Sequence, residues 1–233
     1  MVDLSVEAAE LWTSLGARPS GRGRTVQLVA ARRGEGVSTL ARELALVAAR
    51  RGGLSVWLVD LDLAASAQYG ALAAERTRYG ELGPPLAASP DGSMFFTVRP
   101  AGVTPDGRAI PDAGYLHAHQ VGDARWWVTR FRREALTGRQ EAIILPTRDY
   151  WNALRAHADL VIVDCPSADR SQAALTVAPS MDQTVLVVAS DEADVRAPAL
   201  LRDALTGAGA DVAGLFFNRG VVEEPAFLKA ILP

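Results

Sequence analysis

The sequence predicts an α/β fold with a mostly parallel β-sheet flanked by helices. Three observations carry this expectation. Short apolar runs of strand length recur along the chain, and two of them, Leu58-Val59-Asp60-Leu61-Asp62 and Leu160-Val161-Ile162-Val163-Asp164, end in carboxylates. The earliest apolar run passes through a glycine-rich turn straight into a helical pattern. Segments between runs carry apolar residues at helical spacing, as the crossover connections of a parallel sheet require.

In chain order, Val6 to Leu15 reads as a short amphipathic helix ended by Gly16, and the Arg/Pro/Gly/Ser stretch from Arg18 to Arg24 reads as a flexible connection. Thr25 to Ala31 is the first strand. Leu40, Leu44, Val47 and Ala48 then recur at helical spacing until Gly52-Gly53 stop the helix. Ser55 to Asp60 is the next strand, and the strand–helix–strand unit should have a right-handed crossover. An inserted segment at about residues 103–141 contains a β-ribbon, with strands at Tyr115 to Val121 and Arg125 to Arg132 and Asp123 in the turn. Leu160 to Asp164, Thr184 to Ala189 and Leu215 to Asn218 supply further strands, with a helix from about Ala197 to Leu205 before the last. A chain of 233 residues, 49% of them hydrophobic, suits one domain over residues 1–233, in which residues 1–24 are the N-terminal helix and its connection.

Composition narrows the function classes. A net charge of −3 and dispersed arginines give no basic stripe of the kind that tracks a phosphate backbone, which argues against nucleic acid as a partner. Cys165 is the only cysteine, so no internal disulfide can form. The N-terminus is acidic, and no apolar run approaches the ~18 residues that span a bilayer. The expected location is the cytoplasm, with any attachment to the inner membrane made through a partner or a surface helix. The tail from Pro225 to Leu232 is too short to argue for a membrane helix.

The chemistry concentrates in Val29-Ala30-Ala31-Arg32-Arg33-Gly34-Glu35-Gly36-Val37-Ser38-Thr39-Leu40. An apolar strand, a glycine turn and Ser-Thr opening a helix make a P-loop, whose backbone N–H groups cradle phosphate at a helix N-terminus. Gly34 and Gly36 permit the tight turn, and Ser38 stands where a hydroxyl ligates the magnesium of a nucleotide. Valine occupies position 37, where a lysine would reach over the phosphates. Losing that charge-assisted hydrogen bond, worth roughly 1.5 to 3 kcal/mol, weakens nucleotide binding by about one to two decades. In the transition state the missing donor costs on the order of a hundred to a thousandfold in rate. Lys229 is the only lysine in the chain, and Arg32 is the nearest candidate replacement. Asp60, Asp62 and Asp164 at strand ends beside this loop suit a magnesium phosphate site, through direct or water-mediated coordination. The alternative is acids that merely end strands in turns.

Taken in order, Gly34-Glu35-Gly36-Val37-Ser38-Thr39, Leu58-Val59-Asp60-Leu61-Asp62, Val161-Ile162-Val163-Asp164-Cys165-Pro166 and Gly214-Leu215-Phe216-Phe217-Asn218-Arg219 resemble the bacterial tyrosine kinases of capsule and exopolysaccharide systems. These kinases are a branch of the deviant-Walker P-loop ATPases that include the MinD and ParA proteins. The resemblance runs from Val6 to Arg219, and Val98-Arg99-Pro100-Ala101-Gly102 adds to it. It implies a P-loop NTPase fold and ATP or ADP with magnesium as ligand. It also implies Ser38 as a magnesium ligand, Asp60 and Asp62 as the acids of the second Walker motif, and Asp164 as the Walker B acid. Thr39 would lie against the α-phosphate, and Asn218 against adenine.

The departures from that family are as informative. Besides Val37, Ala64 and Ala65 stand where an arginine follows the Asp-x-Asp run. The N-terminal helix frame that carries a glutamate and two ring-building arginines reads Glu7, Glu10 and Thr13. The tail from Glu223 to Lys229 has no tyrosine, where active kinases carry a cluster of targets. The expectation is therefore a degenerate member with weak or absent nucleotide binding and no catalysis, in which Asp60, Asp62 and Asp164 are vestigial. Its expected partner is a membrane polysaccharide co-polymerase or assembly protein, as in systems that make adhesive surface polysaccharide such as a holdfast, and a homodimer is compatible. The alternatives are an active ATPase or tyrosine kinase in which Arg32 or a partner replaces the lysine, and a MinD-like or ParA-like positioning switch.

Other residues carry weaker signals. Trp126, Trp127 and Phe131 in the ribbon form either a docking face or the packing of the ribbon on the domain's own edge. His117 and His119, two apart on a strand, share a face as a metal pair would, but without a third ligand no metal site is expected. His157 reads as a surface residue and Cys165 as a small buried filler.

Overall fold

The computed structural model describes residues 3–16, 21–51, 53–104, 106–190 and 196–219. Their elements are α1 (Ser5–Ser14), β1 (Arg24–Ala30), α2 (Val37–Arg51), β2 (Val56–Asp60), α3 (Ala67–Ala74), α4 (Arg76–Tyr79), β3 (Leu86–Ala87), β4 (Phe96–Arg99), β5 (Leu116–Gln120), β6 (Trp126–Phe131), β7 (Glu141–Ile144), α5 (Asp149–His157), β8 (Leu160–Asp164), α6 (Ala173–Val177), β9 (Gln183–Ala189), α7 (Arg196–Gly207) and β10 (Val212–Asn218). One eight-stranded sheet runs β10-β9-β1-β8-β2-β6-β5-β3, and β4 pairs with β7 in a separate two-stranded sheet. The pairings from β10 through β6 are parallel, while β5 and β3 join antiparallel.

The central strands β1 and β8 are buried along their whole length. Helices on both faces of a parallel sheet explain why such strands read as continuous apolar runs. Side chains nevertheless divide by alternation. Val26, Leu28 and Ala30 of β1, with Val56 and Leu58 of β2, join the core under α1 and α2. Val29, Val59, Val161 and Val163 enter the opposite core, built on Phe95, Tyr150, Trp151 and the apolar faces of α6 and α7. The polar residues of β1 are satisfied by neighbours: the Gln27 amide donates to Thr184 Oγ1 at 2.8 Å, and the Thr25 hydroxyl donates to Asp182 at 2.9 Å.

The ribbon forms, but it is a continuation of the central sheet. β6 lies parallel to β2, with Val56 opposite Trp126 and Trp57 opposite Trp127. Trp126 is 1% exposed and meets the Tyr79 ring edge-on at 5.9 Å, and Phe131 packs edge-on against Phe96 at 5.3 Å. Trp127 stacks on Trp57 at 6.0 Å. Two of the three aromatics therefore build the core, which overturns the docking-face reading in favour of packing on the domain's own edge. Asp123 sits exposed in the turn as expected.

Other boundaries move by a residue or a few. The last strand starts at Val212 rather than Leu215, and the two-stranded sheet was not anticipated. His157 ends α5, exposed, with its ring Nδ1 2.9 Å from the Ala153 carbonyl. Gly52, the connection from Arg18 to Ser20 and the tail from Glu223 onward, Lys229 included, lie outside the described residues. Among the described residues no helix is long and apolar enough to cross a membrane.

Candidate functional site

The P-loop forms between β1 and α2. Gly34 and Gly36 have φ of +93° and +99°, a region that side chains with a Cβ rarely adopt. A Cβ on Gly36 would lie 2.0 Å from Asn218 Nδ2, whereas nothing lies within 4 Å of a Cβ on Gly34. The turn is thus braced behind Gly36 and open at Gly34.

The brace is built from three strand ends. Asn218, at the end of β10, donates from Nδ2 to the Glu35 carbonyl at 2.8 Å and accepts the Arg219 N–H at 2.9 Å. Arg219 Nη2 donates to the Gly34 carbonyl at 2.6 Å. The Glu35 side chain is buried and accepts the Arg32 N–H at 2.7 Å and the Ala189 N–H at 3.2 Å. In this structure, then, the polar atoms of Asn218 hold the loop rather than facing a base. Glu35, to which the sequence analysis assigns no role, is the loop's internal tether.

A cleft of about 390 Å³ opens over the turn, lined by residues 32–39, by Asp60, Asp62 and Asp164, and by Arg170. The three carboxylates and the loop do converge. Asp60 and Asp164 are register partners across β2 and β8, so their Cα atoms lie side by side at the carboxyl edge of the sheet. The loop after β8 is drawn to the P-loop by the Cys165 N–H donating to the Leu28 carbonyl at 3.1 Å and the Ala168 N–H to the Ala30 carbonyl at 2.9 Å.

The acids are engaged with the protein itself. Asp60 accepts the Asp62 N–H at 2.9 Å and the Gln68 N–H at 3.1 Å. Burial, with the neighbouring Asp164 charge second, pushes the Asp60 carboxyl up to about 8. Burial likewise pushes Asp164 up to about 6, against the opposing hydrogen bonds of Ser38 and Gln68. Asp62 accepts the Ala65 N–H at 3.0 Å and pairs with Arg170 at 3.2 Å. Gln68, in the first turn of α3 and fully buried, donates to Asp164 Oδ2 at 2.5 Å and to the Ser38 carbonyl at 3.0 Å. Its Oε1 accepts from Arg42 at 3.0 Å.

Sequence reasoning missed Gln68 and Arg170. Arg170 had one available signal, its place six residues beyond Asp164. Gln68 had none beyond being polar in an alanine-rich run.

Val37 is 8% exposed and belongs to the core beneath α1 and α2. Thr39 lines the cleft, and its hydroxyl accepts from Arg42 at 3.5 Å. Arg32 lines the cleft and is exposed. The open glycine turn at a helix N-terminus fits a phosphate. Asp60 fits a magnesium ion poorly, because metal ligation needs an ionised carboxylate and this one is buried, pushed up in pKa and bonded through both oxygens to the Asp62 and Gln68 N–H groups, whereas Asp164 gives Oδ2 to Gln68 but keeps a buried Oδ1 with no hydrogen-bond partner, an oxygen open to a ligand. Among the described residues no group of three or more His, Cys, Asp or Glu is arranged to hold a metal ion.

That statement also covers the histidine pair. His117 and His119 have ring centroids 6.5 Å apart, but His119 is buried, with Nδ1 2.8 Å from the Gly83 carbonyl and its ring against Tyr69 at 4.7 Å. Cys165 is buried, 3.8 Å from Gln27 Oε1, and burial pushes its thiol well up. It is unreactive filler in this setting.

No family model matches the sequence, and no curated relative matches it. Solved structures do match the fold. The kinase domain of the Escherichia coli tyrosine kinase ETK superposes with a TM-score of 0.55 at 16% identity, covering 95% of this chain and 73% of that one. The VpsO kinase domain gives 0.54 at 16% identity over 93% and 96% of the two chains. The septum-site-determining protein MinD from Pyrococcus horikoshii, solved with Mg-ADP, gives 0.54 at 16% over 88% and 75%. The chain has the P-loop NTPase fold shared by bacterial tyrosine kinase domains and MinD ATPases.

Proposed function

We propose that this chain is a kinase-like protein that keeps the nucleotide-binding fold for a binding or regulatory role and performs little or no phosphoryl transfer. Its setting is bacterial exopolysaccharide synthesis or export, where it would act with a membrane polysaccharide co-polymerase or assembly factor. The setting rests on the motif resemblance around Asp164-Cys165-Pro166 and Val98 to Gly102. The loss of catalysis rests on one structural observation: Val37 is packed into the core where a lysine would reach the phosphates. Phosphoryl transfer is almost wholly positioning and charge stabilisation, so removal of that cation strikes the main protein contribution. The loop amides and the dipole of α2 remain, and they support weak binding of a nucleotide's phosphates.

A working ATPase is the alternative, and the observation that favours it is the presence of Arg32 and Arg170 in the lining of the cleft. ATP hydrolysis by the purified chain decides between the readings. The rate should equal that of an Asp164→Ala control. A clear turnover that Asp164→Ala abolishes, and that Arg32→Ala or Arg170→Ala also abolishes, would replace the proposal with the alternative.

A further inference from the structure

The segment after β8 is strapped along the P-loop. Its Ala168 and Asp169 N–H groups donate to the Ala30 and Ala31 carbonyls at 2.9 and 3.2 Å, and the Asp169 carboxylate accepts the Arg33 N–H at 3.4 Å. A turn follows at once, closed by the Arg170 and Ser171 N–H groups donating to the Ser167 carbonyl at 3.0 and 3.2 Å. Arg170 is therefore fixed at its backbone one residue beyond a direct contact with the loop, and it lines the same cleft as residues 32–39. There its Nη1 lies 3.2 Å from Asp62 Oδ2. Asp62 is itself held in place, its Oδ1 by the Ala65 N–H at 3.0 Å and its carbonyl by the Ala65 and Ser66 N–H groups at 3.1 and 2.6 Å. Because β2 and β8 are neighbours in the sheet, the pair bridges the two loops that leave their carboxyl ends.

We propose that Arg170 is the cation that holds a nucleotide's phosphates in this cleft and that Asp62 competes with them for it, so that affinity is set by the exchange of one guanidinium between a carboxylate and a phosphate. The inference rests on the reading of the cleft as a phosphate site. A guanidinium offers the same planar fork of donors to either acceptor. The exchange costs the protein little: with Arg170 41% and Asp62 19% exposed, their pair belongs to the class that contributes little to stability. Arg32 and Arg33 also line the cleft, exposed on the P-loop itself. Arg170 comes from a second segment, from which a charge can close on phosphates seated over the loop amides. Uniform binding of this kind tightens a complex without accelerating transfer, which accords with a site that binds and turns over little.

The test is calorimetric titration of the full chain with ADP in EDTA, arranged as a double-mutant cycle. Asp62→Asn, which keeps an acceptor for the Ala65 N–H, should tighten binding about tenfold, and Arg170→Ala should weaken it about tenfold, the scale of one charge-assisted interaction. Removing a repelling carboxylate would by itself tighten binding too, but equally with and without the arginine. In the Arg170→Ala background, Asp62→Asn should instead change affinity by less than about twofold, because the two residues act through one contact. Arg33→Ala should leave the Asp62→Asn gain intact, and Arg170→Gln repeats the cycle if Arg170→Ala folds poorly. A gain of equal size in both backgrounds, or affinity that Arg170→Ala leaves unchanged, would overturn the proposal, as would ADP binding in neither the parent nor Asp62→Asn. The hydrolysis comparison with Asp164→Ala reads turnover alone, so the two readings fail separately.

Discussion

Gly36 and Val37 are neighbours, and the first sets what a change at the second can achieve. Gly36 is fixed by Asn218, so the loop keeps its turn whatever occupies position 37. A lysine there can leave its aliphatic stem on the core surface that Val37 now covers and carry its ammonium toward the open side at Gly34. Val37→Lys should therefore tighten ADP binding by about one to two decades. Calorimetry checks this, and an unchanged affinity in a well-folded variant would mean that the turn does not present its amides to phosphate. Residues of this kind were legible because a P-loop is local: Gly34, Gly36, Val37 and Ser38 sit within five positions. Glu35 and Gln68 were not legible, because their partners Ala189 and Asp164 are 154 and 96 residues away.

At the scale of elements, the ribbon shows where pattern reading stops. Alternation correctly gave two strands about a turn at Asp123, but whether such a ribbon stands free or extends a sheet depends on pairing with β2, some seventy positions earlier. The sequence presents Trp126 and Trp127 as one aromatic pair, while the pleat sends them to opposite faces of β6. Trp126 fills the core beside Tyr79, and Trp127 stacks half-buried on Trp57. Trp126→Ala should cost about 3–5 kcal/mol, as large-to-small changes of buried aromatics do. Trp127→Ala should cost about 1–2 kcal/mol, because its ring keeps a solvent-facing side and loses chiefly one stacking partner. Urea unfolding midpoints separate the two. Equal, small losses would return Trp126 to the surface and reopen the docking reading. The strands β2 and β8 posed no such difficulty, since burial on both faces writes itself as an unbroken apolar run. The four-residue β4 and β7 leave too short a pattern to be seen.

At the scale of the whole molecule, the buried acid pair sets how stability depends on pH. Asp60, pushed up to about 8 from an ordinary 3.8, holds its proton in the folded chain over a range in which the unfolded chain has released it. A group raised in this way makes folding less favourable as pH climbs from about 4 to about 8, after which the loss is complete. Asp164, pushed up to about 6, acts in the same direction over the lower part of that range. Other groups oppose them at acid pH. His117 is held below its usual value by burial and then by Arg132, so its protonation costs stability as pH falls below about 6.5. Asp169, lowered chiefly by its Ser167 hydrogen bond, adds to that loss as pH falls through the carboxylate range. The interval from pH 6.5 to 8.5 is where Asp60 acts with least opposition. Over it the chain should lose on the order of 2 kcal/mol, seen as a fall in melting temperature of roughly 4–8 °C for a domain of this size. Asp60→Asn keeps one acceptor for the two N–H donors of Asp62 and Gln68, so it starts less stable at pH 6.5, but it carries no charge to bury. Its melting temperature should stay level where the parent's declines. A decline of equal slope in both would place the titrating group elsewhere and leave Asp60 ionised in the folded chain, with a carboxylate available to a cation after all.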